Sequence, residues 1–189
     1  MNGDDQLRAA LVRLYEELRD DVRSRWKRDL PLEELLFDRW ERAASLGFGE
    51  GTSIYHSSYV FGEVSVGRNT WIGPLVLLDG TGGLTIGDNC SISTGVQIYS
   101  HDTVKWAVSE GSAPYEHAPV SIGSSCYIGS QSVVAKGVTI GDHCVVGACS
   151  FVNRDLSPNT IAGGVPIRRL GHVEVDDGDV ELVIDRDSG

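Results

Sequence analysis

What this chain lacks narrows it first. No apolar run approaches the roughly 20 residues that a membrane-spanning helix requires. The start MNGDDQLR is acidic and polar, without the basic and apolar regions of a signal peptide. The expected location is the cytoplasm. Bases are few: 16 Lys and Arg stand against 27 Asp and Glu, for a net charge of −11. Nucleic acid usually needs a basic face and anionic lipid a polybasic segment, so neither is an expected partner. Four cysteines (Cys90, Cys126, Cys144, Cys149) form no CxxC pair and no zinc-like spacing.

The residues that are present fall into three segments. Residues 4 to about 28 place Leu7, Leu11, Leu14, Tyr15, Leu18, Val22 and Trp26 at spacings of three and four, which predicts an amphipathic helix. Pro31 suits the first turn of a second helix, in which Leu35, Leu36, Trp40 and Ala43 share a face until Gly47 ends it. This pair is expected to cover the end or side of the central segment. At the other end, from Gly171 onward, seven acids face one base, Arg186, which reads as a solvated or loosely docked extension.

Between them the period becomes six. Aliphatic residues stand at Ile54, Val60, Val66, Ile72 and Leu78, then, after two extra residues at GTGG, at Ile86, Ile92 and Ile98. After a break they resume at Ile122, Ile128, Val134, Ile140, Val146 and Val152. A repeat of this kind decides the fold before any other signal. Six residues make a short strand and a turn, and three such units make one triangular coil. The aliphatic residue points inward, and a small residue four places later does the same where the prism is too narrow for bulk. Cys90, Cys126 and Cys144 occupy that small position, so they are packing residues; Cys149 faces outward.

The break is informative. Ile98 opens a hexad whose small inward position would be Asp102, which an apolar prism does not accommodate. Residues 103–119 therefore leave the stack as a loop, and a loop of that length is usually functional. His101 sits at its foot. A histidine there suits general-base activation of a hydroxyl or amine, since its ordinary pKa lies near neutrality.

These hexads, the motif IYSHD before the loop and the stretch from PVSIG to GGVPIRRLG resemble the hexapeptide-repeat acyltransferases, in their sugar and polysaccharide O-acetyltransferase branch. The resemblance implies a mainly β fold: a left-handed parallel β-helix over 51–170 with extruded loop 103–119, an N-terminal α-helical segment over 1–50 and an acidic tail over 171–189. It implies acetyl-CoA as co-substrate, no metal requirement, a homotrimer with sites between subunits, and a sugar or glycan hydroxyl as acceptor. His101 takes the position of the catalytic base. Ser130, Ala148, Asn153, Arg154, Gly164 and Arg168 match the coenzyme-binding positions, with small residues beside the pantetheine arm and arginines near the phosphates. Asp79 is expected to hydrogen-bond an acceptor hydroxyl from the neighbouring subunit, and Trp71, Trp106, Tyr115 and Tyr127 to form a stacking face for a sugar. Asp102 is expected to cap the loop.

Departures from the galactoside and maltose branch favour a polysaccharide-type or other acetyltransferase over a thiogalactoside enzyme. Gly73 stands where that branch has a sugar-contacting asparagine, and the interval from Ile86 to His101 is two residues shorter. Three other readings compete with this one. N-acetylation of an amino sugar needs the same base. A γ-type carbonic anhydrase shares the coil but needs three zinc-binding histidines, two of them five residues apart, and no pair here has that spacing. A non-catalytic trimeric scaffold would explain the repeat but not the histidine at the foot of a loop.

Overall fold

A computed structural model describes residues 3–185; Arg186 and Asp187 of the acidic segment lie outside the described residues. The hexads fold as stacked parallel coils, a β-solenoid with three faces. On the first face Ser53–Ile54, Trp71–Ile72, Ser91–Ile92, Tyr127–Ile128 and Val145–Val146 pair in that order, and Thr160–Gly163 closes the stack. On the second, Tyr59 and Val60 pair with Leu77 and Leu78, then come Gln97–Ile98, Val133–Val134 and Phe151–Val152. On the third, Val66, Ile86, Ile122 and Ile140 stack in register.

Every hexad aliphatic is buried except Val60, which is half-buried. Removing each such side chain from water stabilises the fold by about 1.5–3 kcal/mol before entropy is counted. The inward corners solve a second problem, that of carbonyls facing an apolar interior. Thr52 Oγ1 donates to Gly67 O at 2.6 Å and Thr70 Oγ1 to Gly87 O at 3.0 Å, each one coil onward. Three thiols continue that ladder. Cys90, Cys126 and Cys144 donate through Sγ to the carbonyls of Gly123, Gly141 and Ser157, each at 3.1 Å. Flanking Cys144 and Cys90, together with burial, push the Cys126 thiol up. These cysteines are packing groups, and Cys149 is exposed.

The two extra residues within Gly80–Gly83 form no loop. Strand Leu77–Ile86 runs through them, and the irregularity appears as a register shift opposite Gly62 and Val64. Gly82 is required by contact, since a Cβ there would lie 2.3 Å from Ser100 O.

The terminal segments differ from expectation. Helix α1 (Gly3–Trp26) buries none of its residues, so Leu7, Leu11, Leu14 and Trp26 remain exposed on this chain. The second expected helix is two: α2 (Leu32–Leu36) and α3 (Arg39–Ser45). Asp38 makes the break, because its Oδ1 accepts from the backbone N–H groups of Trp40 and Glu41 at 2.8 and 3.0 Å and so starts a new helix. Both helices dock on one turn of the first coil. Glu34 accepts from the N–H groups of His56 and Ser57, while Arg42 donates to the carbonyls of Tyr55 and Ser58. Ala43 and Phe48 then join the core.

The acidic segment is, over its described part, an ordered hairpin. Strands Arg168–Asp176 and Asp179–Ile184 pair antiparallel, and the first also pairs with Thr160–Gly163. The turn Asp177–Gly178 takes positive φ at both residues (44° and 94°), which an Asp-Gly pair tolerates. Alternation of Val173 and Val175 with polar neighbours supports the strand, and its charge stays outside.

Candidate active site

Residues 103–119 leave the coil as expected, but they are not structureless. His101–Asp102 and Glu116–His117 pair as antiparallel strands at the loop's foot, with helix α4 (Val104–Val108) between. A set of ion pairs holds this foot. Lys136 Nζ reaches Asp102 Oδ2 at 3.1 Å and Glu116 Oε2 at 2.9 Å, and Lys105 binds the other Glu116 oxygen at 2.5 Å. Lys105 and Lys136 hold the Glu116 carboxyl below its ordinary range, and Glu116 and Asp102 in turn raise the Lys136 ammonium. Asp102 caps the turn as read from sequence, accepting from Val104 N at 3.0 Å.

His101 stands between this foot and the coil wall. Its Nδ1 lies 2.5 Å from Asp79 Oδ2. Asp79 is 1% exposed and carries a full set of donors: Ser100 N at 3.1 Å on Oδ2, and Thr81 N at 3.0 Å with the Thr81 hydroxyl on Oδ1. Burial works to raise this carboxyl, but the hydrogen bonds from Thr81, His101 and Ser100 outweigh it and hold it below its ordinary range. The ionised carboxylate fixes the tautomer. Nδ1 carries the proton and donates it, so Nε2 is left as an acceptor. The ring is 29% exposed and forms part of an open groove with Tyr99, Val133, Ala135, Lys136 and Phe151.

This corrects the expectation for Asp79. It is buried, and both its oxygens already accept from Ser100, His101 and Thr81, so it has no exposed oxygen to offer an acceptor sugar. Its place is behind the histidine. The glycine-rich bulge puts it there: Gly82 N donates to Ser100 Oγ at 2.7 Å, which ties the bulge to the residue before His101.

The aromatic residues do not converge on one platform within the chain. Trp106 and Tyr115 meet edge to face in the loop, with centroids 5.6 Å apart. Trp71 and Tyr127 instead lie on the first face, either side of Ser91 in the stack. Trp71 packs edge-on to Tyr55 at 6.0 Å. A ring that sequence reasoning left open belongs to the site: His117 stacks on His101 at 5.8 Å. Lys136, Thr81 and Phe151 were not singled out at all. For Lys136 and Phe151 the signal is spatial, since coil stacking brings them to the groove, whereas Thr81 lies two residues from Asp79 on the same strand and serves it locally.

The six positions matched to coenzyme binding fall near one another along two edges. Ser130, Ala148 and Gly164 each follow a glycine at the end of a first-face strand, so they stack on a single edge of the prism. Cys149 N donates to Ser130 O at 2.9 Å there, and a Cβ on Gly129 would lie 2.5 Å from Ala148 N. Asn153 and Arg154 follow the strand Phe151–Val152, and Arg168 pairs with Gly163; all three are exposed. The second face, with Val133 and Phe151, connects this edge to the groove at His101.

Comparison with known proteins finds hexapeptide-repeat proteins. A model of the bacterial transferase hexapeptide (six repeats) matches residues 119–154, and a model of the hexapeptide repeat of succinyl-transferase matches residues 63–100. Galactoside O-acetyltransferase of Escherichia coli is 35% identical over 112 residues, covering 59% of this chain and 55% of that protein. A putative colanic acid biosynthesis acetyltransferase of Escherichia coli is 31% identical over 118 residues, covering 53% and 65%. The chain therefore spans 55% and 65% of the length of these two curated relatives. Among solved structures, a hexapeptide-repeat acetyltransferase from Vibrio cholerae, complexed with acetyl coenzyme A, superposes with a TM-score of 0.54 at 25% identity, covering 90% of this chain and 89% of that one. An N-acyltransferase from Bacillus cereus shares the fold, with a TM-score of 0.60 at 20% identity over 72% of this chain and 90% of that one.

Proposed function

We propose that this hexapeptide-repeat chain, whose curated relatives are acetyltransferases, moves an acetyl group from acetyl-CoA to a hydroxyl of a sugar or glycan, with His101 as general base. One observation carries the reading: a partly exposed imidazole whose Nδ1–H is held by a buried carboxylate and whose Nε2 is left free beside an open groove. That is the arrangement a base needs to take a proton from a hydroxyl.

In this reading Nε2 removes the acceptor's proton as its oxygen attacks the thioester carbonyl. A C–O bond forms, the carbonyl π electrons pass to oxygen, and Asp79 stabilises the imidazolium. Collapse of the tetrahedral adduct breaks the C–S bond, and the imidazolium returns its proton to the departing sulfur. No covalent acyl-enzyme is required, because both substrates can meet in one complex. Ser130, Ala148 and Gly164 offer an edge without bulky side chains to the pantetheine arm, and Asn153, Arg154 and Arg168 offer donors to its phosphates.

The hydroxyl acceptor is supported by the galactoside O-acetyltransferase relative, and a glycan by the colanic acid relative. The groove at His101, lined by the coil and by the foot of the loop, is open in this chain, which leaves room for a neighbour in a homotrimer to complete each site. Cytoplasmic supply of acetyl-CoA suits the reading, and no described helix is long and apolar enough to cross a membrane.

The test is mass spectrometry of a panel of oligosaccharides incubated with acetyl-CoA. A gain of one acetyl group with the native chain, nearly lost in His101→Ala, is the expected result. Transfer that survives in the variant overturns the role of His101. Failure to bind acetyl-CoA in calorimetry overturns the whole reading.

A further inference from the structure

A second concavity, of about 230 Å³, shares no residue with the groove at His101. It lies where α1, the turn after it and α3 meet Tyr55 of the first coil. Its size is below the roughly 300 Å³ at which pockets for drug-sized ligands begin, so it suits one ring and not a coenzyme.

The lining is aromatic and cationic at once. Trp26, Phe37 and Trp40 leave 67%, 59% and 48% of their surfaces in water; His56 packs on Phe37 and Arg39 lies over Trp40, which leaves Trp26 the most open ring. Two arginines and two carboxylates share the cavity, and both carboxylates are engaged by backbone N–H groups while the arginines have no carboxylate partner among the described residues. Glu34 uses both oxygens on His56 N, Ser57 N and Ser57 Oγ at 2.7 to 3.0 Å. Asp38 Oδ1 caps α3. Arg28 forms no ion pair among the described residues. Arg39 lies over Trp40 at 4.2 Å and Tyr55 at 5.1 Å, and donates to the Tyr55 hydroxyl at 2.9 Å, with no carboxylate partner among the described residues. In a chain of net charge −11, unpaired guanidinium groups in a concave aromatic setting are an unusual concentration of donors for an anion.

We infer that this pocket binds a single acidic sugar residue, its carboxylate on Arg28 and Arg39 and its apolar ring face on Trp26. The choice of a sugar among anionic rings rests on the glycan-acceptor reading above. A glycan acceptor carrying uronate residues would thus be gripped at a point apart from the reacting hydroxyl.

The test measures binding by calorimetry and tryptophan fluorescence on the full chain, so it does not depend on turnover. The probes are methyl glucuronoside, its neutral methyl ester and benzoate. The acid is expected to bind about tenfold more tightly than its ester, as a lost charge-assisted pair implies. Arg28→Gln should weaken the acid by a similar factor with an unchanged melting curve, and Trp26→Leu should weaken both sugars. Arg39 also braces Tyr55, so the exposed Arg28 is the cleaner variant. His101→Ala should bind the acid as the native chain does, even where it abolishes transfer. Equal binding of acid and ester, no binding at tens of millimolar, indifference to Arg28→Gln, or preference for benzoate over the glucuronoside would each overturn the inference.

Discussion

Replacing Asp79 by asparagine tests the geometry behind His101 most directly. The side chain keeps its shape but loses the charge that fixes the imidazole. An amide can present N–H to Nδ1 and so favour the opposite tautomer, with the proton on Nε2 where a base must be bare. A positioned base contributes about 10²–10⁴ in rate, and loss of the correct tautomer removes most of it. The expected fall in kcat is therefore roughly 10²- to 10⁴-fold, or about 3–5 kcal/mol of barrier at 1.36 kcal/mol per decade. Folding suffers less. The carboxylate accepts from Ser100, His101 and Thr81, and asparagine satisfies these in part, at a cost of about 1–3 kcal/mol. The assay follows thiol release from acetyl-CoA with an acceptor identified by mass spectrometry, comparing kcat with KM for each substrate. KM for acetyl-CoA should stay within about threefold, because Asp79 touches no proposed coenzyme position. Adding His101→Ala to Asp79→Asn should cost little beyond the worse single change, since the pair acts as one unit. A native kcat in Asp79→Asn, or multiplicative losses in the double variant, would refute the assignment of Asp79 as a positioning residue.

Asp79 also makes a prediction in acid. Its folded carboxyl sits below the ordinary range, so its stabilising contribution is full above the unfolded value and is lost as pH falls from about 4 toward the folded value; Asp79→Asn should flatten that part of the acid melting curve. Lys136→Met leaves Asp102 and Glu116 facing each other without their shared cation, and protease cleavage within residues 103–119 should accelerate severalfold while the coil stays folded. Gly82→Ala sets a Cβ against Ser100 O and should destabilise by about 1–3 kcal/mol, measured in urea, with a parallel loss of transfer. Thiol titration should find Cys149 reactive in the native chain, and Cys90, Cys126 and Cys144 only after denaturation; native reactivity at Cys126 would contradict the packing assigned to it.

Much of the solenoid was legible in sequence because its rule is local. An aliphatic residue every sixth place and a small one four places later define inside from outside without reference to distant residues, and even the thiols could be assigned by position. The loop and His101 were legible as interruptions of that rule. The partner of the histidine was not. Asp79 and His101 lie 22 residues apart, and they meet only because coils stack and a bulge shifts the register between them. The extra residues at GTGG were visible, but their effect is three-dimensional. Lys136 and Phe151 were missed for the same reason. In the C-terminal segment the count of acids concealed a strand pattern that Asp177–Gly178 and the alternating valines carried. In the N-terminal segment the spacing of Leu35, Leu36, Trp40 and Ala43 suggested one helix, where a single aspartate cap made two.

The register of the coils has an evolutionary consequence. Ile54 pairs with Ile72 and Ile128 with Val146, each 18 residues on, while Ile92 pairs directly with Ile128 across 36. An excursion that departs and returns at a corner leaves every inward residue inward, so the loop at His101 could be acquired, lengthened or exchanged without redesigning the prism beneath it. Loss of one residue inside a coil has the opposite effect, turning the following aliphatics outward until a compensating insertion restores the count. The lineage of such a chain should accordingly vary by whole turns and by corner insertions, with new specificities arising where the thread leaves the spool.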